Sequence, residues 1–105
     1  MHKSAVAMLI AVVTFDLAAA VHIRGAYSCG DWIQGRIMDR SHAEAWLIGY
    51  LSGRAVASDI DILKVADNPS LFLWMDKFCR ANPLKDIQDG TLELIPELVR
   101  KVRGR

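Results

Sequence analysis

The sequence predicts an all-α protein: a small bundle of four to five short helices stapled by one disulfide. Three observations carry this. Apolar residues recur at helical spacing along most of residues 29–102, the start signal Asn-Pro occurs twice, and no alternating stretch long enough for a sheet appears. The chain has 105 residues, a formal net charge of +1 and 52% apolar residues. That is one domain at most, apolar enough to bury a core and too nearly neutral to coat a polyanion.

The apolar content is heaviest at the start. Met1-His2-Lys3 is a short positive region, Ser4 to Phe15 is an apolar run, and small residues stand at Ala18 and Ala20. The run is about a dozen residues, whereas a membrane span needs about 20, so it predicts a signal peptide over residues 1–20 with cleavage after Ala20. The exported domain is then Val21 to Arg105. Removing Lys3 and Asp16 leaves 12 Lys/Arg and 11 Asp/Glu. The expected location is the periplasm, with no stable membrane insertion and no nucleic acid to meet.

Cys29 and Cys79 are the only cysteines. In a small exported chain they predict a disulfide, closing a loop of about 50 residues worth roughly 4 kcal/mol on the chain-entropy model. A metal site or a catalytic thiol is the alternative, but there is no CxxC and no His or acidic cluster at ligand spacing. No metal or other cofactor is expected.

The elements follow in order. From Cys29 to about Arg40, residues Cys29, Trp32, Ile33 and Ile37 keep a helical period despite Gly30 and Gly35. Ser41 and Glu44 form the pattern of a capping box opening a helix from about His42 to Ala57. Its expected buried stripe is Trp46, Tyr50, Gly53 and Ala57, with Leu47, Leu51 and Ala55 beside it. Gly49 and Gly53 are spaced for close helix packing inside the core. Ser58-Asp59 begins a connection, and Ile60, Ile62, Leu63 and Val65 form a short apolar segment. Asn68-Pro69 is read as N-cap and first helical residue of a helix to about Ala81. Leu71, Phe72, Met75, Phe78 and Cys79 form its buried side. Asn82-Pro83 repeats the signal, and Ile87, Thr91, Leu94, Leu98 and Val102 continue a helical period. Gly90 and Pro96 interrupt it, predicting a broken helix. The basic end from Arg100 to Arg105 is expected to be a solvated tail complementing the last helix's dipole.

No residues suggest catalysis. The serines of residues 21–105 lack a partnering His/Asp arrangement, and phosphate loops, zinc signatures and paired carboxylates are absent, so a non-enzyme is expected. His42, in the first turn of a helix, is a weak candidate for sensing pH.

Ser28-Cys29-Gly30-Asp31-Trp32-Ile33, Phe78-Cys79-Arg80-Ala81-Asn82-Pro83 and the spacing between the two cysteines together resemble the HdeA/HdeB-like family of small periplasmic helical proteins. That resemblance implies an acid-stress chaperone, a folded homodimer near neutral pH that loosens in strong acid and binds unfolded proteins. At pH 2 to 3 the net charge of residues 21–105 would rise to roughly +15 as the carboxylates become neutral. The faces then offered to clients, or to one dedicated partner, would include Trp46, Tyr50, Leu51, Phe72, Trp74 and Phe78. The segment Gly49-Tyr50-Leu51-Ser52-Gly53 is similar to a core of small periplasmic immunity proteins that neutralise effectors of type VI secretion. It implies an alternative, a dedicated protein-binding module.

Overall fold

A computed structural model of the chain describes residues 21–35 and 39–104. The signal peptide expected over residues 1–20 lies outside these, as do residues 36–38 and Arg105.

The described residues form four α-helices and one 3-10 turn: α1 (Cys29–Gly35), α2 (Ser41–Ser58), the 3-10 turn (Ile62–Val65), α3 (Asn68–Ala81) and α4 (Ile87–Arg103). The all-α expectation holds, and so does the disulfide. Cys29 and Cys79 are bonded with their Cα atoms 4.9 Å apart, joining the first residue of α1 to the last turn of α3. Helix α1 packs on α3, α3 on α4, and the 3-10 turn on both α2 and α4. The core contains Trp32 of α1, Leu47 and Leu51 of α2, Leu71 and Met75 of α3, and Ile87, Leu94 and Leu98 of α4.

Ahead of α1, residues 21–28 form an extended strap. Ser28 and Asp86 make an antiparallel bridge. Around it Cys29 N–H donates to the Lys85 carbonyl and Ile87 N–H to the Tyr27 carbonyl, each at 2.9 Å. The strap is thus fastened to the α3–α4 connection beside the disulfide.

Helix ends depart from the sequence signals in four places. The Ser41/Glu44 capping box does not form: the residue before α2 is Arg40, with no side-chain cap. Ser41 N–H instead donates to the Asp39 carboxylate at 2.9 Å, and Glu44 takes the Arg40 guanidinium at 3.0 Å. A charged partner outcompetes a backbone amide for that carboxylate. The cap of α3 is Asp67, one residue earlier than expected, accepting from Ser70 N–H at 2.9 Å. Asn82 starts no helix. Its backbone and side-chain N–H groups both donate to the Phe78 carbonyl and close α3. Helix α4 starts later, at a reciprocal box of Asp86 and Asp89.

Helix α4 is also unbroken. Pro96 lies inside it, on the exposed face. The Leu92 carbonyl it frees belongs to another exposed residue, where water can donate to it, while buried Leu94, Ile95 and Leu98 hold both sides of the proline to the core. Gly90 does not interrupt the helix; it lets α3 and α4 meet. A Cβ there would stand 2.6 Å from Met75 Sδ and 2.8 Å from Phe78 Cδ2.

The buried face of α2 is Ala43, Leu47 and Leu51, one helical position round from the expected Trp46/Tyr50/Gly53/Ala57 stripe. Because this helix is apolar nearly all round, its periodicity could not select a face. Gly49 and Gly53 stand two residues on from Leu47 and Leu51, about 200° away at 100° per residue. Both are exposed, with no atom near a would-be Cβ, so the expected close packing at these glycines does not occur. Among the described residues no helix is long and apolar enough to cross a membrane.

Candidate functional site

The most unusual group in the interior is Asp76, the only charged residue among the described ones that is buried. It stands on α3 one residue after Met75, on the face turned toward α1 and the start of α2. A buried carboxylate is costly unless charged or polar partners compensate it, and here they come from two other elements. The Trp32 indole N–H on α1 donates to Asp76 Oδ1 at 2.9 Å. The Arg40 guanidinium, at the start of α2, reaches the same oxygen at 2.7 Å.

Arg40 is itself nearly enclosed, its side chain 10% exposed. Its guanidinium lies 4.2 Å from the centre of the Trp32 ring, a cation–π contact, and donates to the Trp32 carbonyl at 3.3 Å. Its Nε pairs with Glu44 one turn along α2 at 3.0 Å. Gly35 permits this approach, since a Cβ there would stand 2.7 Å from Arg40 Cβ. One cation thus ties together two carboxylates and an indole from α1, α2 and α3.

Beside this cluster is a pocket of about 390 Å3 bordered by Tyr27, Asp31, Asp39, Arg40, His42 and Ala43. Asp39 is held below its ordinary pKa, chiefly by the Ser41 backbone N–H, then by the Ser41 hydroxyl and the neighbouring charge of His42. His42 is exposed.

The residues expected to meet clients or a partner are divided among three places. Trp46 and Tyr50 are half-buried and stacked, ring centres 5.3 Å apart. The Trp46 indole donates to the Arg24 carbonyl at 2.9 Å, so the strap lies against it. Phe72, also half-buried, tilts against Trp32 at 6.1 Å. Trp74 stacks on Phe78 at 5.8 Å and donates to Glu97 at 2.9 Å. Leu51 and Phe78 are buried, at 0% and 7% exposure; in this fold a partner does not reach them. Among the described residues no group of His, Cys, Asp and Glu could hold a metal ion.

Sequence reasoning missed the Asp76 cluster. Asp76 does fall between core positions Met75 and Phe78 on a helix, where a carboxylate needs a buried partner, and that was the available signal.

The fold and the cluster define a class: a disulfide-joined all-α protein in which, among the described residues, an Arg40–Asp76 ion pair is buried between the helices. No family model matches the chain, and neither a curated protein nor a solved structure matches it.

Proposed function

We propose that this is an exported, non-catalytic protein of the periplasm that binds unfolded proteins when the pH falls, an acid-stress chaperone. The observation carrying this reading is the buried Asp76–Arg40–Trp32 cluster. Strong acid neutralises carboxylates and leaves a guanidinium charged. An enclosed cation such as Arg40 is strongly destabilising once the carboxylates that compensate it are lost. The disulfide does not respond to pH and would keep the loosened chain compact. Rising positive charge would keep it soluble while apolar faces open.

A second reading, a dedicated module for one protein partner, is favoured by the outer face of α2. Ala45, Gly49, Gly53 and Val56 are all exposed there, Val56 at 83%, and a partner helix could approach closely over both glycines.

The test uses oxidised protein purified from the periplasm of an expressing bacterium, whose intact mass also reports whether the chain begins at Val21. Light scattering from acid-labile periplasmic proteins is followed at pH 2.5 and pH 7. Suppression of scattering only in acid, lost when both cysteines are changed to serine, is the expected result. No suppression at either pH refutes the chaperone reading and directs the search to a single tight partner.

A further inference from the structure

Among the described residues, those from 68 to 85 expose no acid: Asp76 is buried, and the cations Lys77, Arg80 and Lys85 are all exposed. None of these three is ion-paired with a described residue. The two acids that bound the interval, Asp67 and Asp86, are engaged as caps of α3 and α4. Two leucines of the same interval are exposed as well, Leu73 at 56% and Leu84 at 99%. At 100° per residue, Leu73, Lys77 and Arg80 fall within about 60° of one another on α3. That sector is opposite Leu71, Met75, Phe78 and Cys79, which face the core.

The cationic face runs on into a firmly held turn. Lys85 N–H donates to the Asn82 carbonyl at 3.1 Å, closing the turn over residues 82–85 that carries Leu84. The base of the turn is held by the Cys29 N–H on the Lys85 carbonyl at 2.9 Å and by the disulfide at Cys79. We infer that residues 77–85 form a docking surface for an anionic phospholipid bilayer, with Leu84 entering the headgroup layer and Lys77, Arg80 and Lys85 lying among the lipid phosphates. The occupant follows from charge and residue type. Lysine is depleted at protein interfaces, where a buried charge needs a partner at a fixed position. A charged lipid surface instead attracts cations collectively and leaves them hydrated. The long stems of Lys77 and Arg80 cover apolar surface while their heads reach phosphate. An almost fully exposed leucine needs a preformed hole in a rigid partner, whereas the boundary of headgroups and acyl chains closes around it. The surface exists in the folded protein at neutral pH, so it is independent of the acid-chaperone reading.

Flotation of the full oxidised protein with vesicles at pH 7 tests this. The probes are vesicles of phosphatidylcholine alone and of an equal mixture of phosphatidylcholine and phosphatidylglycerol. Binding to the anionic vesicles is expected to be about tenfold or more tighter than to the neutral ones at ~0.1 M salt. It is expected to weaken by about tenfold or more at ~1 M salt, where the screening length falls to about 3 Å. Changing any one of Lys77, Arg80 and Lys85 to glutamine is expected to weaken it about fivefold, and Leu84→Ser about tenfold. All four positions are exposed, and circular dichroism verifies that each variant is folded. Lys101→Gln/Arg103→Gln, at the basic end of α4, is expected to bind as the wild type does. An environment-sensitive fluorescent residue placed at position 84 is expected to brighten and shift to the blue on anionic vesicles. The same residue at position 56, exposed on α2, is expected not to respond.

Equal binding to both kinds of vesicle overturns the docking surface, and so does binding to neither, which would turn the search to an acidic protein. Binding kept by the Lys77, Arg80 and Lys85 variants but lost in Lys101→Gln/Arg103→Gln overturns it in favour of the basic end of α4. Binding without a response at position 84 overturns the placement of Leu84 in the headgroup layer. Suppression of client aggregation in acid without vesicle binding removes the docking surface and leaves the chaperone reading in place. Charge-dependent vesicle binding without suppression supports the docking surface and removes the chaperone reading.

Discussion

Gly90 of α4 lies against Met75 of α3 so closely that a single added methyl would stand 2.6 Å from the methionine sulfur. Helix propensity alone favours alanine over glycine by about 1 kcal/mol. Packing acts in the opposite direction, because Met75 is fully buried and Phe78 crowds the same point. Gly90→Ala is expected to destabilise by about 1–3 kcal/mol, the usual cost of overpacking. Urea unfolding measures it, and an unchanged or raised midpoint would show that Met75 yields at no cost.

Removal of the disulfide is expected to cost more. Changing Cys29 and Cys79 together to serine opens a loop of 50 residues in a small molecule. The expected loss is about 2–5 kcal/mol, enough to leave much of the protein unfolded at 37 °C. Circular dichroism against temperature, with and without reductant on the wild type, checks both routes to the same state.

Trp32→Phe keeps an aromatic ring and deletes the indole N–H that Asp76 accepts. The Arg40 contact with the ring weakens at the same time. Loss of a donor to a buried charged group costs about 1.5–3 kcal/mol, and lost volume adds to it. By contrast Trp74→Phe, removing an exposed bond to Glu97, is expected to change stability by less than about 1 kcal/mol. Parallel urea titrations of the two variants test the contrast.

Asp67 gives a pH dependence of defined sign. The Ser70 side chain and then its backbone N–H hold its carboxyl below the ordinary value. A group whose pKa is lower folded than unfolded stabilises the fold above its unfolded pKa, and that contribution disappears as the pH falls through the folded one. Asp67→Ala should therefore be most harmful near neutrality. The gap from wild type should narrow steadily below about pH 4, where free aspartates take up protons. A gap independent of pH would show that the charge contributes nothing.

Much of this architecture was legible in the residues. Amphipathic helices with a clear polar face could be placed by period alone: Leu71, Met75, Phe78 and Cys79 of α3, and Ile87, Thr91, Leu94 and Leu98 of α4, are buried as their spacing implies. The disulfide followed from two cysteines in a small chain whose start reads as an export signal. Helix α2 was placed but misoriented, because alanine, glycine, leucine and tryptophan surround it on every side and spacing then carries no direction. Caps failed where a rival existed: Glu44 had a guanidinium within reach, and Asp67 preceded Asn68 with the stronger acceptor. Pro96 failed to break α4 because its cost is local, whereas three buried side chains around it act together. The Arg40–Asp76 pair, 36 residues apart in the chain, has no local signature at all.

The bond between Cys29 and Cys79 has a consequence for proteolysis. It encloses every peptide bond from residue 29 to residue 79, including the turn at Asp59 after the left-handed end of α2. A protease that cuts once anywhere in that interval leaves a nicked molecule with all its atoms still covalently joined. On a non-reducing gel such a product runs near the intact chain, and two fragments separate only after thiol treatment. In a compartment rich in proteases, backbone scission at the turn and loss of the molecule are thereby made separate events.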